Sequence, residues 1–429
     1  MNWQEIYKSK LVSVEEAAKK IESGDKIWFG ACSAGPIQLL EALADRAEEL
    51  KDVHLVTAMA MYPYKFLQSP KFIGKLNFHT IFYGPIERKF YKVGNVDIDS
   101  VHFAKSYLAI RDVYKVDTLL ADVSEPDEDG YMYYGAMGVS WNGTVAEYAK
   151  KKIVQVNKCQ PKVNGTKHRI HVSEVDCICE YDHPLPELTQ PPVQKTDEEI
   201  ASYIIPLIPD GATLQVGLGG IANAVAYGLE NKKNLSVHTE MLTDSMVYLA
   251  KKGVINGRIL AAFGLGSQEL IDFVGEGKVE LAPIEGVNDP YIAGKNDDFI
   301  SINSSLMVDL TGQVGSESIG FKQFSSTGGQ LDYVRAAGIS KGGKSFICLA
   351  STVKNKDGSI GSTINVSLPA GQAVTTPRSD VMYVVTEYGL ADVYNKPIKE
   401  RVEAMISIAH PDFREKLRQE AIDAKLITK

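Results

Sequence analysis

The sequence predicts an α/β protein built from two structurally similar open α/β domains with mostly parallel sheets. Three observations carry that expectation. The chain echoes itself at long range, apolar β-branched strands alternate with helices, and one proline-rich stretch breaks the pattern near the middle. At 429 residues the chain is too long for one ordinary core and points to about two domains.

The first copy of the repeat reads as a helix from Val14, a turn at Ser23-Gly24-Asp25 and a strand at Lys26-Ile27-Trp28-Phe29 ending on Gly30. A helix over residues 36–49 and a strand at Val53-His54-Leu55-Val56 follow. The second copy replays the order with a helix from Glu198, a turn at Pro209-Asp210-Gly211 and a strand at Thr213-Leu214-Gln215-Val216. A helix over 222–229 and a strand at Leu235-Ser236-Val237-His238 complete it. Gly24 to Gly30 and Gly211 to Gly217 have the same spacing. The segment from Ser173 to Glu180 resembles that from Ser379 to Glu387 in pattern, so the halves also end alike.

The apolar run Lys152-Ile153-Val154-Gln155-Val156 has the composition of a strand covered on both faces, as in a parallel sheet. Between the halves, the stretch from Tyr181 to Pro192 is proline-rich and aperiodic. It sets the expected boundary, with domains over 1–188 and 189–429. The tail from Ile398 to Leu426 has helical spacing and a predicted break at Pro411.

Composition excludes several functions. Lys plus Arg number 46 against 54 Asp plus Glu, a net charge of −8, which leaves no basic footprint for nucleic acid or an anionic membrane. No apolar run approaches the roughly 20 residues that span a bilayer, and the first residues lack a basic flank followed by an apolar stretch. Five scattered cysteines, at 32, 159, 177, 179 and 348, read as inert core thiols in a reducing compartment. The expectation is a cytoplasmic protein. No histidine pair has convincing ligand spacing, since His168 and His171 stand on a strand-like segment, and no metal is expected.

Three glycine-rich segments compete for a functional role. Gly338-Ile339-Ser340-Lys341-Gly342-Gly343-Lys344-Ser345 matches the phosphate-loop pattern of NTPases. That loop must open a helix whose N-terminal amides meet the phosphates, and here a strand-like run from Phe346 to Ala350 follows. A hairpin-like turn is the better reading. Gly217-Leu218-Gly219-Gly220-Ile221-Ala222 follows a strand and opens a helix, fitting the dinucleotide fingerprint, with Glu240 near the ribose-binding position. The same residues also suit a structural tight turn, and a nicotinamide-dependent dehydrogenase stays open at this point. The third segment, Thr327-Gly328-Gly329-Gln330, precedes a helix and would supply a second backbone surface to a reacting carbonyl, or serve as a plain loop. Glu240 follows a Val-His pair that the first half also has, at Val53-His54, but the first half continues with Leu55-Val56. A carboxylate at the carboxyl end of a parallel strand is placed where α/β sheets bind ligands.

Taken together these motifs resemble a known family. Pro209-Asp210-Gly211, Gly217-Leu218-Gly219-Gly220-Ile221, His238-Thr239-Glu240-Met241, Ser301-Ile302-Asn303-Ser304 and Gly328-Gly329-Gln330-Leu331-Asp332-Tyr333 resemble the acetyl-CoA hydrolase/transferase family. Ala373 to Arg378, Thr386-Glu387-Tyr388-Gly389 and His410-Pro411-Asp412-Phe413 extend the likeness across the chain. Within that family it looks like the 4-hydroxybutyrate and butyryl-CoA:acetate CoA-transferases. The resemblance implies the CoA-transferase fold, two related α/β domains with the active site between them, and a catalytic glutamate at Glu240. It implies ping-pong exchange of CoA between an acyl-CoA and a carboxylate such as acetate, through a glutamyl-CoA thioester.

Backbone amides near Gly219, Gly220 and Ile221 are then the expected oxyanion donors, and Gly217 and Leu218 are expected to bind CoA with them. Gly328 and Gly329 are the expected second wall, holding CoA or another oxyanion, and Asn303 the polar side chain joining them. Coenzyme A is a substrate, and no tightly bound cofactor is expected. A homo-oligomer, dimer or tetramer, is the default expectation. Ala222, where several relatives carry proline, and the short segment Gly253 to Arg258 are departures that bear on acyl specificity. In the first half, Ala58-Met59-Ala60-Met61-Tyr62 reads as core packing or as an acyl-pocket lining. The competing functions are an acyl-CoA hydrolase, the nicotinamide-dependent dehydrogenase, and a non-catalytic CoA-binding sensor.

Overall fold

The computed structural model describes residues 2–428. The chain divides into two compact units. The first comprises Met1–Thr189, Glu240–Leu242 and Ile259–Val287; the second comprises Gln190–Thr239, Thr243–Arg258 and Asn288–Lys429. The long passage between units thus falls in the proline-rich stretch. Two short pieces of the later chain, one of them carrying Glu240, count with the first unit.

The first unit is organised by a seven-stranded sheet: β1 (Lys26–Phe29), β2 (Val53–Thr57), β3 (Leu76–Thr80), β4 (Val96–Ile98), β5 (Thr118–Val123), β6 (Lys151–Val156) and β7 (Cys177–Glu180). The strand order is β7-β6-β5-β1-β2-β3-β4, and every neighbouring pair is parallel. All six residues of β5 are buried, as a central parallel strand covered on both faces must be. The helix Ile37–Asp45 turns Leu39, Leu40 and Leu43 into a core with Ile27, Phe29, Leu55 and Phe78.

In the second unit β8 (Thr213–Val216), β9 (Leu235–Leu242), β10 (Phe299–Ser304), β11 (Lys344–Cys348), β12 (Tyr383–Thr386) and β13 (Gly389–Asp392) follow the same plan. The order is β13-β12-β11-β10-β8-β9, parallel except for the terminal hairpin β12–β13. The run β12-β11-β10-β8-β9 repeats β7-β6-β5-β1-β2 strand for strand. The tail forms two helices, Ile398–Ser407 and Pro411–Asp423, interrupted where Pro411 begins the second.

Several sequence readings need adjusting. Strand β9 runs on through Leu242 instead of ending at His238, so Glu240 lies inside it. The segment after Gly253 is already strand from Ile255. Cys159 is exposed, unlike the four buried cysteines. Gly338 belongs to the helix Gln330–Ile339, and Lys344 opens β11, which makes the phosphate-loop look-alike a helix–turn–strand, the reverse of what phosphate binding needs.

The ladder also corrects the alignment of the repeats. Lys26 pairs with His54, and Thr213 pairs with Ser236. Since Lys26 and Thr213 stand equally far from Gly24 and Gly211, His54 matches Ser236, Thr57 matches Thr239, and Ala58 matches Glu240. The repeated Val-His pair is a coincidence of letters, two positions out of register.

Candidate active site

In the second unit the carboxyl ends of β8 and β10 bring most of the predicted site residues together. Gly217 follows β8 directly, and its N–H donates to the Ile302 carbonyl of β10 at 2.8 Å. A Cβ added at Gly217 would lie 3.2 Å from both Asn303 Oδ1 and the Ile302 carbonyl oxygen, so the loop rests tightly on Asn303. Leu218 is 46% exposed at the loop tip. Gly219 has φ +114 and ψ 178, a region that glycine alone occupies comfortably, and begins the helix Gly220–Gly228. No side chain caps that helix, leaving its first-turn amides, Gly220 and Ile221 among them, aimed at whatever lies beyond the end. Asp197 packs against the side of Gly220, where an added Cβ would stand 2.2 Å from its carboxylate.

The loop rests on a buried neutral network. Asn303 Nδ2 donates to Gln215 Oε1 at 3.0 Å and to Ser301 Oγ at 2.9 Å, and the Ser301 hydroxyl donates to Gln215 Oε1 at 2.8 Å. Gln215 returns a longer bond to Asn303 Oδ1 at 3.4 Å. All three residues are buried, so each unmade bond would carry the full desolvation cost. Both Asn303 amide hydrogens are committed to this network, which makes its side chain a support for the glycine loop.

The second glycine pair lies beside it. Gly328 has φ +58, and Gly329 precedes the uncapped helix Gln330–Ile339. Gln330 fixes that helix start: its Nε2 donates to the Ser304 carbonyl at 2.9 Å, while Ser316 and Thr376 donate to its Oε1 at 3.0 and 3.1 Å. Two uncapped helix N-termini are therefore tied to successive residues, Asn303 and Ser304, at one strand end. Gln215, Ser301 and Gln330 stand within segments quoted from the sequence but were given no role there. The signal was present, since Ser301-x-Asn303 puts polar groups on one face of an otherwise apolar strand.

Glu240 is half-buried on β9 and counts with the first unit. There its carboxylate is close enough to Cys32 to add to the upward push on that thiol, behind burial and the Glu87 carboxylate. Glu87 is fully buried, and burial pushes its own pKa up to about 7 against the hydrogen bonds it accepts. Among the described residues no group of three or more His, Cys, Asp or Glu side chains could hold a metal ion. None of the helices there is long and apolar enough to cross a membrane.

Comparison with known proteins gives a full-length match. Residues 1–187 match the family model of the acetyl-CoA hydrolase/transferase N-terminal domain, and residues 266–421 that of its C-terminal domain. The 4-hydroxybutyrate coenzyme A transferase of Clostridium kluyveri is 40% identical over 98% of this chain and 99% of its own length. The succinyl-CoA:cyclohexane-1-carboxylate CoA transferase of Geobacter metallireducens is also 40% identical, over 98% and 97%. Among solved structures, RipA from Yersinia pestis superposes with a TM-score of 0.93 at 34% identity, covering 100% of both chains.

Proposed function

The chain belongs to the acetyl-CoA hydrolase/transferase family and is a CoA-transferase, and from that premise we propose that it exchanges CoA between a short-chain acyl-CoA and acetate through Glu240. The acyl group is 4-hydroxybutyryl, butyryl or similar, in keeping with relatives named for those substrates. The nicotinamide alternative is set aside, because the family assignment accounts for the same glycines.

In this reading a Glu240 carboxylate oxygen attacks the thioester carbonyl carbon. The C–S bond breaks, CoA leaves as the thiolate, and a mixed anhydride remains. The thiolate then attacks the glutamyl carbonyl carbon, releasing the first carboxylate and leaving a glutamyl-CoA thioester. An incoming carboxylate reverses both steps and departs as the new acyl-CoA. Covalent catalysis divides one difficult exchange into steps of similar height. Each tetrahedral intermediate carries an oxyanion, the role assigned to the amides of Gly219, Gly220 and Ile221, with Gly328 and Gly329 as the second wall. Contacts to the distant nucleotide of CoA help drive the anhydride step.

The observation that carries the proposal is the pair of uncapped, glycine-led helix starts at one strand end. That arrangement supplies backbone N–H donors, which suits a reaction that builds negative charge on a carbonyl oxygen and takes its nucleophile, an ionised carboxylate, from Glu240. The reading includes a cytoplasmic homo-oligomer, dimer or tetramer.

The test is peptide mass spectrometry after incubation with butyryl-CoA or acetyl-CoA, followed by borohydride. A CoA adduct reduced at the peptide containing Glu240 is the expected result. CoA release with that peptide unmodified, and unaffected by added acetate, would make the protein a hydrolase, the second reading that the family description itself includes.

A further inference from the structure

The stretch that leads out of the first unit is tied to one buried carboxylate. Asp122, on β5, is fully buried, and side-chain amides reach it from β6 and the turn beyond. Gln155 Nε2 donates to Oδ1 at 2.7 Å, while Asn157 Nδ2 and Gln160 Nε2 each donate to Oδ2 at 2.9 Å. Those donors are neutral. Among the described residues Asp122 forms an ion pair with no Lys or Arg, and only with His183, whose Nε2 stands 3.4 Å from Oδ2.

His183 is buried, just beyond β7, and both of its ring nitrogens face acceptors. Nδ1 lies 3.0 Å from the Pro184 carbonyl oxygen, which can only accept. Nε2 has no other hydrogen-bond partner and faces the carboxylate. A neutral imidazole carries one N–H, so either tautomer turns a lone pair toward one of these oxygens. The imidazolium satisfies both and supplies the counter-charge that a buried carboxylate needs. Backbone bonds hold the same stretch: the Tyr181 N–H donates to the Val156 carbonyl at 3.0 Å, the His183 N–H to Asn157 Oδ1 at 3.2 Å, and the Leu188 N–H to the Gly266 carbonyl at 3.2 Å.

The neighbouring ionisable groups do not replace this pairing. Asp182 pairs with Lys158, from the turn after β6, at 3.2 Å, and the Tyr181 ring lies 6.3 Å from that of His183. Burial pushes the Cys159 thiol and the Tyr64 hydroxyl up, so both stay neutral near Asp122. Burial works against a charged His183, but the Asp122 carboxylate, the Pro184 carbonyl and Asp182 together outweigh it and hold its pKa above 6.5. Its contribution is then full below 6.5 and is lost as pH rises through the higher folded-state value.

We infer that His183 is a proton-controlled latch: as an imidazolium it ties the stretch from Tyr181 to Leu188 to Asp122, and loss of its proton lets that stretch open locally. The inference does not depend on which group is the nucleophile.

The test is hydrogen exchange of the intact protein at pH 6 and pH 9, corrected for the intrinsic rate and read in the peptide over 181–190 relative to β6. The wild type should lose protection there by about tenfold or more at the higher pH. His183→Gln, which keeps a neutral donor, should show no such dependence. A flat wild-type profile, or the same loss in the variant, overturns the inference, and the wild-type profile decides alone if the variant does not fold. In the folded variant one histidine Cε1–H signal is missing from the NMR spectrum, and in the wild type that signal should titrate above 6.5. A midpoint at or below 6.5 overturns the inference as well.

Discussion

The two repeats share strand order and register, yet their matched positions carry different chemistry. Where the second repeat has Glu240, the first has Ala58; Gly219 matches Cys32, and Gln215 matches Trp28. Beneath the loop after β8 lies the neutral network of Gln215, Ser301 and Asn303. The first repeat fills the corresponding positions with Trp28, Leu119 and Ala121, all buried. Its helix start is also occupied, since the Leu39 N–H donates to Gln155 Oε1 at 3.0 Å and the Cys32 N–H to the Met59 carbonyl. The Cys32 amide is bonded within the first repeat, whereas Gly219, its match, leads directly into a helix start that no side chain caps.

The largest test of that contrast moves the carboxylate. Glu240→Ala is expected to cut CoA transfer by at least about a thousandfold, the scale typical of losing a covalent nucleophile, while acyl-CoA still binds. Adding Ala58→Glu to that variant should restore nothing, because the carboxylate would stand in the first repeat, where the Cys32 amide is already bonded to Met59 and the residue leading the helix is Pro36, not glycine. Steady-state transfer assays with calorimetric binding decide it, and recovery in the double variant would refute the division of labour between the repeats.

The contrast extends to pH. The second unit's network is neutral, whereas Glu87 in the first unit is a buried carboxylate with a pKa of about 7 against 4.5 unperturbed. A raised folded-state value means the folded protein holds the proton longer than the unfolded chain. Its contribution is full below about 4.5 and is lost as pH rises to about 7, a change of roughly 3 kcal/mol. Glu87→Gln removes this dependence. Urea midpoints at pH 5 and pH 7.5 should show the wild type losing stability relative to the variant as pH rises, and parallel profiles would contradict the assignment.

Much of this was legible in the sequence, and the exceptions have physical causes. The repeat, the parallel strands and the glycine loops follow from local period and composition, which act over a few residues. Register does not, since the Val-His echo suggested Val56 as the partner of Glu240 and the hydrogen-bond ladder makes it Ala58. Glu87 was invisible because Gly84-Pro85-Ile86-Glu87 reads as an ordinary helix start, and only packing buries its carboxylate. Asn303 was expected to join the two glycine loops through its side chain, and that side chain instead bonds Gln215 on β8 and Ser301 on its own strand, partners that only the fold brings to it.

The smallest and sharpest comparison is between Gly219 and Cys32, which occupy one matched position in the two loops. Gly219, at φ +114 and ψ 178, sits where a Cβ costs about 1–3 kcal/mol. Open space surrounds it, so Gly219→Ala tests backbone strain without a clash. The variant should lose stability by that amount and, by turning the adjoining amides, lose transfer activity as well. Cys32→Gly runs the other way: it relieves a left-handed residue at φ +47 but gives up a buried side chain. Those two effects oppose each other, and the net change in stability should stay within about 1 kcal/mol. Denaturant midpoints of both variants measure the difference. Equal losses at the two positions would mean that the loops are interchangeable packing, and the functional asymmetry would then rest on Glu240 alone.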